Sequence, residues 1–559
     1  MNAPAPRRVC LQLGFGQGQA FRQAWQDWQQ NPERAARLDF IAITPHAHAL
    51  AAPWPPMTRN LHRLAFDHGR VHLLLAVGQP LDLLPELRAQ VDEFLIDDFD
   101  GSADPQRSAT RLAKGLARLA APLARLRAPP ALHPALASVG FEAQGAGPHF
   151  VFRPRFVPRR RGSASPPSRE RHALIVGAGL AGCATAYALA EQGWRSTLID
   201  RAEAPAMQGS GNPAGLFHGT VHPQDGAHAR FNRAAALLAQ RTVQQALASG
   251  TVRGSVQGLL RLDTRGLDVR SLRDELSALR LPASYVQVLD APQASERCGL
   301  PLQHPTLFYP GGGWVQPAAL ARWFLQQAGA AATFRGGVSV QSLRAVDGGW
   351  QLLDAAGRVI AEAPTVVLAN AFDALRLLKA THWPVQAVRG QISSCAAAQL
   401  RLPCLPVAGA GYLLPDIDGR AVFGATTQPG DADPTVRETD HVFNLQRLSQ
   451  LCAQPLPAPA LLQGRVGWRC VAADRLPLVG AVPNEAGATG ERLDEVARRP
   501  GLFLFSALGS RGIAWAELGA QVLAAQISGA PVPLEASLVD ALDPARFALR
   551  AARRAGRRS

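Results

Sequence analysis

Residues 173–201 contain the pattern that most restricts how this chain folds. An apolar run enters a glycine turn formed by Gly177, Gly179 and Gly182, and a second apolar run ends at Asp200, eighteen residues after Gly182. This order predicts strand, turn, helix and strand, with the glycines allowing close approach to a pyrophosphate at the helix N-terminus. We therefore predict a dinucleotide site in which Asp200 accepts hydrogen bonds from an adenosine ribose.

Length and composition predict a globular chain with several domains. The chain has 559 residues, of which 47% are hydrophobic and 18% charged, and it contains no apolar run long enough to cross a bilayer. Because the N-terminus shows no secretory signal, we expect a cytoplasmic protein without membrane contact. The seven cysteines form no C-x-x-C pair. This spacing predicts neither a disulfide framework nor a metal site.

The net charge of +15 favours a polyanionic partner such as RNA. Nearly all of the positive charge is arginine, with Lys114 and Lys379 as the only lysines. Compositional bias explains such a charge equally well, so both interpretations stay open. Two arginine clusters favour a partner, one near residue 160 and one at the C-terminus: Arg153, Arg155, Arg159, Arg160, Arg161, Arg169 and Arg171; Arg546, Arg550, Arg553, Arg554, Arg557 and Arg558.

A segment rich in arginine, proline and serine divides the chain. Residues 158–172 lack apolar periodicity and concentrate turn-forming residues, which indicates a linker. We predict one domain over 1–157 and a larger one over 173–547, followed by a basic tail over 548–559. The size of the larger domain is typical of a nucleotide-binding core interleaved with a second domain that covers the substrate.

The N-terminal domain also begins with a strand that enters a glycine turn, here formed by Gly14, Gly16 and Gly18. Gly-x-Gly-x-Gly suits S-adenosylmethionine better than a pyrophosphate, because the loop curls around an adenosyl group and no phosphate is held.

Further predicted strands over 38–43, 71–77 and 93–97 alternate with helical patterns, which indicates a doubly wound α/β sheet. Asp97 lies at the carboxyl end of the last of these strands. It either faces a site there or begins a polar loop.

Two more glycine-rich segments favour FAD over a nicotinamide cofactor. Residues 208–215 form a loop able to pass close to a flat ring. A predicted strand over 502–508 and a helix over 513–527 flank a second turn, and the helix N-terminus stabilises negative charge on a reduced flavin. An ordinary strand-to-helix turn is the alternative. The predicted FAD residues in these segments are Ser210, Gly211, Asn212, Gly509, Ser510, Arg511 and Gly512.

Several motifs together resemble the D-amino acid oxidase and glycine oxidase flavoproteins. More closely, they resemble the oxidase half of the bifunctional tRNA 5-methylaminomethyl-2-thiouridine biosynthesis family. One departure is Ala371, where the family pattern has glycine. The matching segments are 177–182, 210–213, 312–314, 388–391, 411–415, 464–470, 474–477, 506–512 and 538–547.

This resemblance implies a Rossmann-type FAD-binding domain interleaved with an α+β substrate domain. It implies FAD-dependent removal of the carboxymethyl group from a carboxymethylaminomethyl wobble uridine in tRNA. Arg469 matches the arginine that holds the substrate carboxylate in glycine oxidases, and Tyr412 and Arg511 are weaker candidates for the pocket. Arg201, next to Asp200, belongs to the implied FAD site.

The N-terminal domain resembles the methyltransferase half of the same family in altered form. Gln12 and Thr44 stand where the family has acids, and Asp97 matches an aspartate at the methyl-transfer site. Only thirteen residues precede Gly14, which is fewer than the resemblance leads us to expect. We therefore predict an incomplete Rossmann-like scaffold with little or no methyltransferase activity, which binds S-adenosylmethionine at Gly14, Gly16 and Gly18 only if it is still competent.

Two other functions remain open from the sequence. The chain could oxidise free glycine or sarcosine-like amines, with the N-terminal domain serving only as structure. It could also be a non-catalytic tRNA-binding protein that keeps FAD for folding. The basic clusters argue against the first, and the intact glycine turns and Arg469 argue against the second. The sequence does not predict an oligomeric state.

Overall fold

The computed structural model forms two compact units. The first comprises Met1–Pro167, Thr489–Ala497 and Ala524–Ala541, and the second comprises Ser168–Ala488, Arg498–Leu523 and Leu542–Ser559. The structure describes residues 7–45, 57–97, 104–145, 147–155, 170–484 and 492–556. Outside them lie 158–169 of the predicted linker, with Arg159, Arg160, Arg161 and Arg169, as well as Arg557 and Arg558.

The N-terminal part of the first unit is one mixed sheet with helices. Its strands are β1 (Arg8–Leu13), β2 (Leu38–Thr44), β3 (Leu61–Phe66), β4 (Val71–Val77), β5 (Val91–Ile96), β6 (Ala120–Arg127), β7 (Phe141–Ala143) and β8 (His149–Phe152). Its helices are α1 (Gln19–Gln30), α2 (Pro80–Leu83), α3 (Pro105–Leu119) and α4 (His133–Ser138).

The strand order is β3-β4-β2-β1-β5-β6-β8-β7. The central strands β4, β2, β1, β5 and β6 run parallel, whereas β3, β7 and β8 are antiparallel to their neighbours. Both faces of the sheet are buried, because alternate residues of β1 and β2 enter two separate apolar cores. The topology reverses at β1, so the turn that follows β1 lies where doubly wound sheets bind ligands.

The second unit contains several sheets. Its strands are β9 (His172–Val176), β10 (Arg195–Ile199), β11 (Gly215–Phe217), β12 (Gly254–Ser255), β13 (Leu259–Leu262), β14 (Gln287–Leu289), β15 (Thr306–Tyr309), β16 (Gly313–Val315), β17 (Ala332–Arg335), β18 (Ser342–Val346), β19 (Gly349–Leu353), β20 (Val359–Ala363), β21 (Thr365–Leu368), β22 (Val385–Ala396), β23 (Val407–Ala408), β24 (Tyr412–Leu413), β25 (Arg420–Gly424), β26 (Gln428–Pro429), β27 (Gln463–Ala472), β28 (Leu478–Pro483) and β29 (Arg498–Ser506).

The remaining helices are α5 (Leu180–Glu191), α6 (Ala227–Ala248), α7 (Val269–Ala278), α8 (Ala291–Cys298), α9 (Pro317–Ala328), α10 (Asp373–Leu378), α11 (Glu438–Leu451), α12 (Gly512–Ser528), α13 (Ala536–Leu542) and α14 (Arg546–Gly556). Contacts assign the end of α12 and most of α13 to the first unit.

Two sheets of the second unit position its site. The first has the order β17-β10-β9-β21-β29-β28 and is parallel except for β28. The second has nine strands, in which the long strands β22 and β27 pair antiparallel over ten residues. The predicted α/β class, with a Rossmann-type sheet interleaved with an α+β part, is confirmed.

Candidate active site

The turn between β9 and α5 leaves no space for side chains at two of its glycines. Gly177 adopts a φ of +103°, and a Cβ there would lie 2.7 Å from the carbonyl oxygen of Ala369. A Cβ on Gly182 would lie 1.8 Å from the carbonyl oxygen of Gly177. Glycine is therefore required for the first turn of α5 to pack against the end of β9. This packing directs the N-terminus of α5 toward a cavity that Gly179 and Leu180 line.

Asp200 holds the same turn from the end of β10. One carboxylate oxygen accepts a hydrogen bond from the amide of Ala178 at 2.7 Å, and the other accepts one from the amide of Ala202 at 2.9 Å. Each carboxylate oxygen has capacity for a further donor, such as a ribose hydroxyl. Asp200 and Arg201 both line the cavity, as a site for the adenosine end of a dinucleotide requires.

An arginine on β27 clamps the glycine-rich loop of residues 208–215. Arg465 Nη1 donates to Asn212 Oδ1 at 2.7 Å, and a Cβ on Gly211 would lie 2.6 Å from Arg465 Nη2. Ser210 Oγ accepts a hydrogen bond from the amide of Leu180, the first residue of α5, at 3.1 Å. The loop is thus fixed between the two sheets. Arg465 lies in the motif over 464–470, but the motif by itself predicts no role for it.

The cavity has a volume of about 1430 Å³ and lies within the second unit. Of the predicted FAD residues, all but Gly182 and Gly211 line it, and these two instead support the turn and the loop from behind. The turn at Gly509, Ser510, Arg511 and Gly512 lines it too, with α12 beginning at Gly512. The glycine cradle, the helix N-termini and Asp200 therefore fit FAD.

Arg469 projects from β27 into the cavity. Its guanidinium packs against the backbone of Gly390 on β22, because a Cβ there would lie 2.6 Å from Arg469 Nη1. Arg469 Nη1 donates to the carbonyl of Thr426 at 3.0 Å. Burial lowers the pKa of Arg469, and the charge of Arg447 adds to the decrease. Within the described residues, no carboxylate pairs with this guanidinium, so it is available to an anion.

Tyr412 and Arg447 line the same cavity as Arg469. Burial raises the pKa of Tyr412 to about 12, with the charge of Arg469 opposing the increase. The phenol therefore stays protonated at neutral pH and can donate a hydrogen bond. Arg447, on α11, packs over the ring of Phe443 at 4.6 Å and donates to the carbonyl of Ala425. We had not predicted Arg447, because nothing along the sequence connects α11 with β27.

A second group of cations lines another part of the cavity wall. Burial lowers the pKa of Arg511 to about 10, and the charge of Arg261 adds to the decrease. Burial also lowers the pKa of His218 well below its ordinary value, with Arg511 and Arg261 contributing. His218 is therefore neutral at physiological pH. Arg511 was predicted, whereas Arg261 and His218 were missed because they lie far from it in the sequence.

Ala371 takes the place of the glycine expected at this position and keeps a backbone conformation that glycine favours. It adopts a φ of +53°, in the left-handed region that glycine tolerates best, and it lines the cavity. The hydroxyl of Ser506 donates to its carbonyl at 2.9 Å. The close backbone geometry is thus kept with alanine in place.

The glycine turn of the first unit has the predicted backbone. Gly14, Gly16 and Gly18 adopt φ values of +79°, +53° and +76°. The turn lies at the topological switch point after β1, but Gln12 brings an amide to this strand end. Its buried Oε1 has no hydrogen-bond partner among the described residues. A neutral acceptor in this position does not balance the positive charge of a sulfonium cofactor.

The other two predicted positions of this unit do not supply a free acid either. Thr44 is buried at the end of β2, where a carboxylate would bind a ribose. Asp97 follows β5, as predicted, but it forms an ion pair with Arg127. The described residues therefore do not fit S-adenosylmethionine well, and we derive no methyl-transfer step. Residues 98–103, which follow Asp97, lie outside the described part.

The described residues contain no group of three His, Cys, Asp or Glu side chains placed to hold a metal ion. None of the helices in these residues has the length and apolar character needed to cross a membrane.

Comparison with known proteins adds to this geometry. The family described as FAD dependent oxidoreductase matches residues 172–526. The chain is 45% identical, over 596 residues, to the tRNA 5-methylaminomethyl-2-thiouridine biosynthesis bifunctional protein MnmC of Methylibium petroleiphilum, covering 97% of this chain and 90% of that protein. The chain belongs to this bifunctional family. FAD as the cofactor and the oxidoreductase class are thereby confirmed.

Solved structures give the same fold for the second unit. Glycine oxidase from Geobacillus kaustophilus aligns with a TM-score of 0.51 at 24% identity, over 64% of this chain and 95% of that one. Iminodiacetate oxidase from Chelativorans sp. BNC1 aligns with a TM-score of 0.50 at 26% identity, over 64% of this chain and 96% of that one. About two thirds of this chain therefore shares its fold with proteins named glycine oxidase and iminodiacetate oxidase.

Proposed function

We propose that the second unit uses FAD to remove the carboxymethyl group from 5-carboxymethylaminomethyl-(2-thio)uridine at the wobble position of tRNA. The products are 5-aminomethyl-(2-thio)uridine and glyoxylate. The observation that carries the proposal is Arg469, a partly buried guanidinium in the cavity without a carboxylate partner among the described residues. A buried cation of this kind is stabilised when a substrate anion binds.

The substrate class follows from the surroundings of Arg469 and from the comparisons. Arg469 and the protonated Tyr412 together suit a carboxylate, because a guanidinium fork and a hydroxyl both donate hydrogen bonds to it. Iminodiacetate is a secondary amine with a carboxymethyl group on its nitrogen. The proposed tRNA side chain has the same arrangement. The name of the Methylibium relative supports tRNA as the substrate. A tRNA substrate in turn supports a cytoplasmic location.

The reaction begins with loss of two electrons from the carbon between the carboxylate and the amine. When bound, FAD supplies the acceptor for the hydride from that carbon. The amine proton is lost, which leaves an imine on the substrate. Water adds to the imine carbon, and the carbon–nitrogen bond breaks to give glyoxylate and the primary amine. The imine nitrogen stays on the base.

The side chains of the cavity contribute binding, orientation and electrostatics. Arg469 and Tyr412 fix the carboxylate and thereby limit the positions open to the reacting carbon. Positive charge from Arg447, Arg261 and Arg511 lowers the pKa of a bound ammonium, because like charges disfavour its protonated form. The neutral amine is the form that loses a hydride. The cavity needs no general acid for this step.

We also propose that this chain does not complete the second reaction implied by the family name. Gln12 and Thr44 replace the acids that would hold S-adenosylmethionine, and Asp97 is paired with Arg127. The methyl group of the final nucleoside would then come from another enzyme. Methylation of aminomethyl-tRNA by the purified protein, together with tight S-adenosylmethionine binding by calorimetry, would overturn this part.

Anaerobic reduction of the yellow holoenzyme tests the oxidase assignment. Carboxymethylaminomethyl-tRNA is expected to bleach the flavin absorbance, with mass spectrometry showing aminomethyluridine and glyoxylate. Bleaching by free glycine but not by tRNA would instead show an amino acid oxidase. A flavin that neither compound reduces would show that FAD serves only the fold. Accumulation of the carboxymethylaminomethyl nucleoside in cells lacking the protein would support the assignment.

A further inference from the structure

Helix α3 of the first unit carries positive charge along one face. Arg107, Arg111, Lys114 and Arg118 are separated by four, three and four residues, a spacing that places them on the same side of an α-helix. The opposite side consists of buried apolar residues: Ala109, Leu112, Ala113, Leu116 and Leu119. The helix therefore packs against the core through one face and presents the cations on the other.

Three of these cations are exposed on a helix that contains no acid. Arg107, Arg111 and Lys114 are exposed, and within the part of the chain that the structure describes none of them forms an ion pair. The helix itself contains no acid. Its N-cap residue, Asp104, accepts a hydrogen bond from the backbone amide of Arg107 at 3.0 Å through a side-chain oxygen. We call Arg107, Arg111 and Lys114 the α3 ridge. Arg118 is not included, because it donates to the carbonyls of Leu84 and Leu87.

Helix α7 offers a comparison within the same chain. Its exposed Arg270 and Arg273 are followed by Asp274 and Glu275, so positive charge does not accumulate along that helix. Elsewhere, arginines such as Arg358 lie beside a carboxylate. The α3 ridge has cations at the same density without such acids. The two helices therefore differ in their acids and not in their density of cations.

We propose that the α3 ridge binds the phosphate backbone of the substrate tRNA. This inference rests on the proposed function, which supplies the partner. Arg107 and Lys114 are seven residues apart, a rise of about 10 Å along the helix, which spans about three phosphates of one strand. The first unit thus takes part in the oxidase reaction by holding the tRNA, which raises the effective concentration of the wobble base for the second unit.

The position of α3 in the fold supports an RNA partner. The helix follows β5, so it starts near the edge of the sheet where the parallel strands end and where the turn at Gly14 lies. A ligand at that edge is within reach of the first turns of α3. A membrane surface fits less well, because membrane-binding helices insert an exposed apolar face, and the apolar face of α3 is buried.

The test removes the ridge charges from the full-length holoenzyme. In the variant Arg107→Gln/Arg111→Gln/Lys114→Gln, the slope of log affinity for tRNA against log salt concentration is expected to fall in magnitude by about 2, and the affinity by at least about tenfold. A control, Arg270→Gln/Arg273→Gln/Arg322→Gln, removes the same net charge from exposed sites and is expected to retain the slope. The charge-retaining variant Arg107→Lys/Arg111→Lys should bind like the wild type.

Kinetics separate docking from chemistry. For the ridge variant, KM for tRNA is expected to rise at least about tenfold with little change in kcat, while oxidation of the free carboxymethylaminomethyl nucleoside stays unchanged. An unchanged salt slope, or an equal loss in the control variant, would overturn the inference. Failure of the proposed function would look different, because the wild type would then oxidise no modified tRNA even though its binding slope could still be measured.

Discussion

The two glycine turns of this chain share a backbone but differ in what surrounds it. Gly14, Gly16 and Gly18 all lie in the left-handed region, and a Cβ on Gly14 or Gly16 would meet no atom of the described residues within 4 Å. In the second unit, Gly177 and Gly182 are so enclosed that a Cβ would collide with the backbone. One turn is open and the other is packed against its sheet.

The two turns also differ in the charge of their polar partners. Asp200 pins the second turn and still faces the cavity, whereas Gln12 and Thr44 bring only neutral groups to the first. The two turns thus share a backbone conformation and differ in the charge of the side chains beside them. Function must therefore be argued from those side chains.

Removing Arg469 should have the largest effect. Arg469→Ala is expected to lower kcat/KM for carboxymethylaminomethyl-tRNA by about 10²–10³-fold, because the substrate carboxylate would be buried without its cation. Stopped-flow reduction of the flavin measures this. Arg358→Ala removes an exposed arginine of the same unit and should leave the rate unchanged. Near-wild-type reduction by Arg469→Ala would show that the carboxylate binds elsewhere.

The polar residues beside the two turns provide a reciprocal pair of variants. Asp200→Ala is expected to weaken FAD binding by about 10–100-fold, because two backbone amides and the ribose lose their acceptor. Gln12→Glu/Thr44→Asp is expected to strengthen S-adenosylmethionine binding by about tenfold. Ultrafiltration of the flavin and titration calorimetry measure the two affinities. Equal S-adenosylmethionine affinity in wild type and double variant would show that other residues disable the first turn.

The effect of burial and of the nearby cations in the cavity can be tested through His218, whose pKa lies well below its ordinary value. Below about pH 6.5, His218 binds a proton in the unfolded chain but stays neutral in the folded one. The free energy of unfolding therefore falls as the pH decreases below about 6.5, and above this pH His218 has no effect on it. The loss is at most about 1.4 kcal/mol per pH unit. His218→Gln should flatten the pH dependence of Tm below pH 6.5. His304→Gln, at an exposed site, should not.

The smallest effect concerns the backbone beside the second turn. Ala371→Gly is expected to stabilise the protein by about 0.5–1 kcal/mol, because glycine tolerates a φ of +53° better than alanine does. Ala369→Gly, two residues earlier and outside the left-handed region, should destabilise it instead, since it only adds freedom to the unfolded chain. Thermal unfolding of both variants measures the difference. A lower Tm for Ala371→Gly would contradict this account.

Local patterns in the sequence predicted much of the fold. The predicted strand over 71–77 is observed with the same bounds as β4, and the strand predicted over 38–43 is one residue longer in β2. Both are apolar runs buried on the two faces of a sheet, so their pattern is visible within a few residues. The antiparallel strand β3 was not predicted, because its burial is only partial and its pairing is set by β4.

The sequence alone determined the two glycine turns and the helix starts beside them, because each depends on residues within a short segment, whereas Arg469 became a candidate through the resemblance to glycine oxidases. Only the tertiary structure brought Arg447 and Arg261 to the cavity, placed Gly390 under the Arg469 guanidinium and paired Asp97 with Arg127. These residues lie from about 20 to more than 200 positions from the residues they meet. Strand pairing and helix packing decide such contacts, and no local pattern along the chain encodes them.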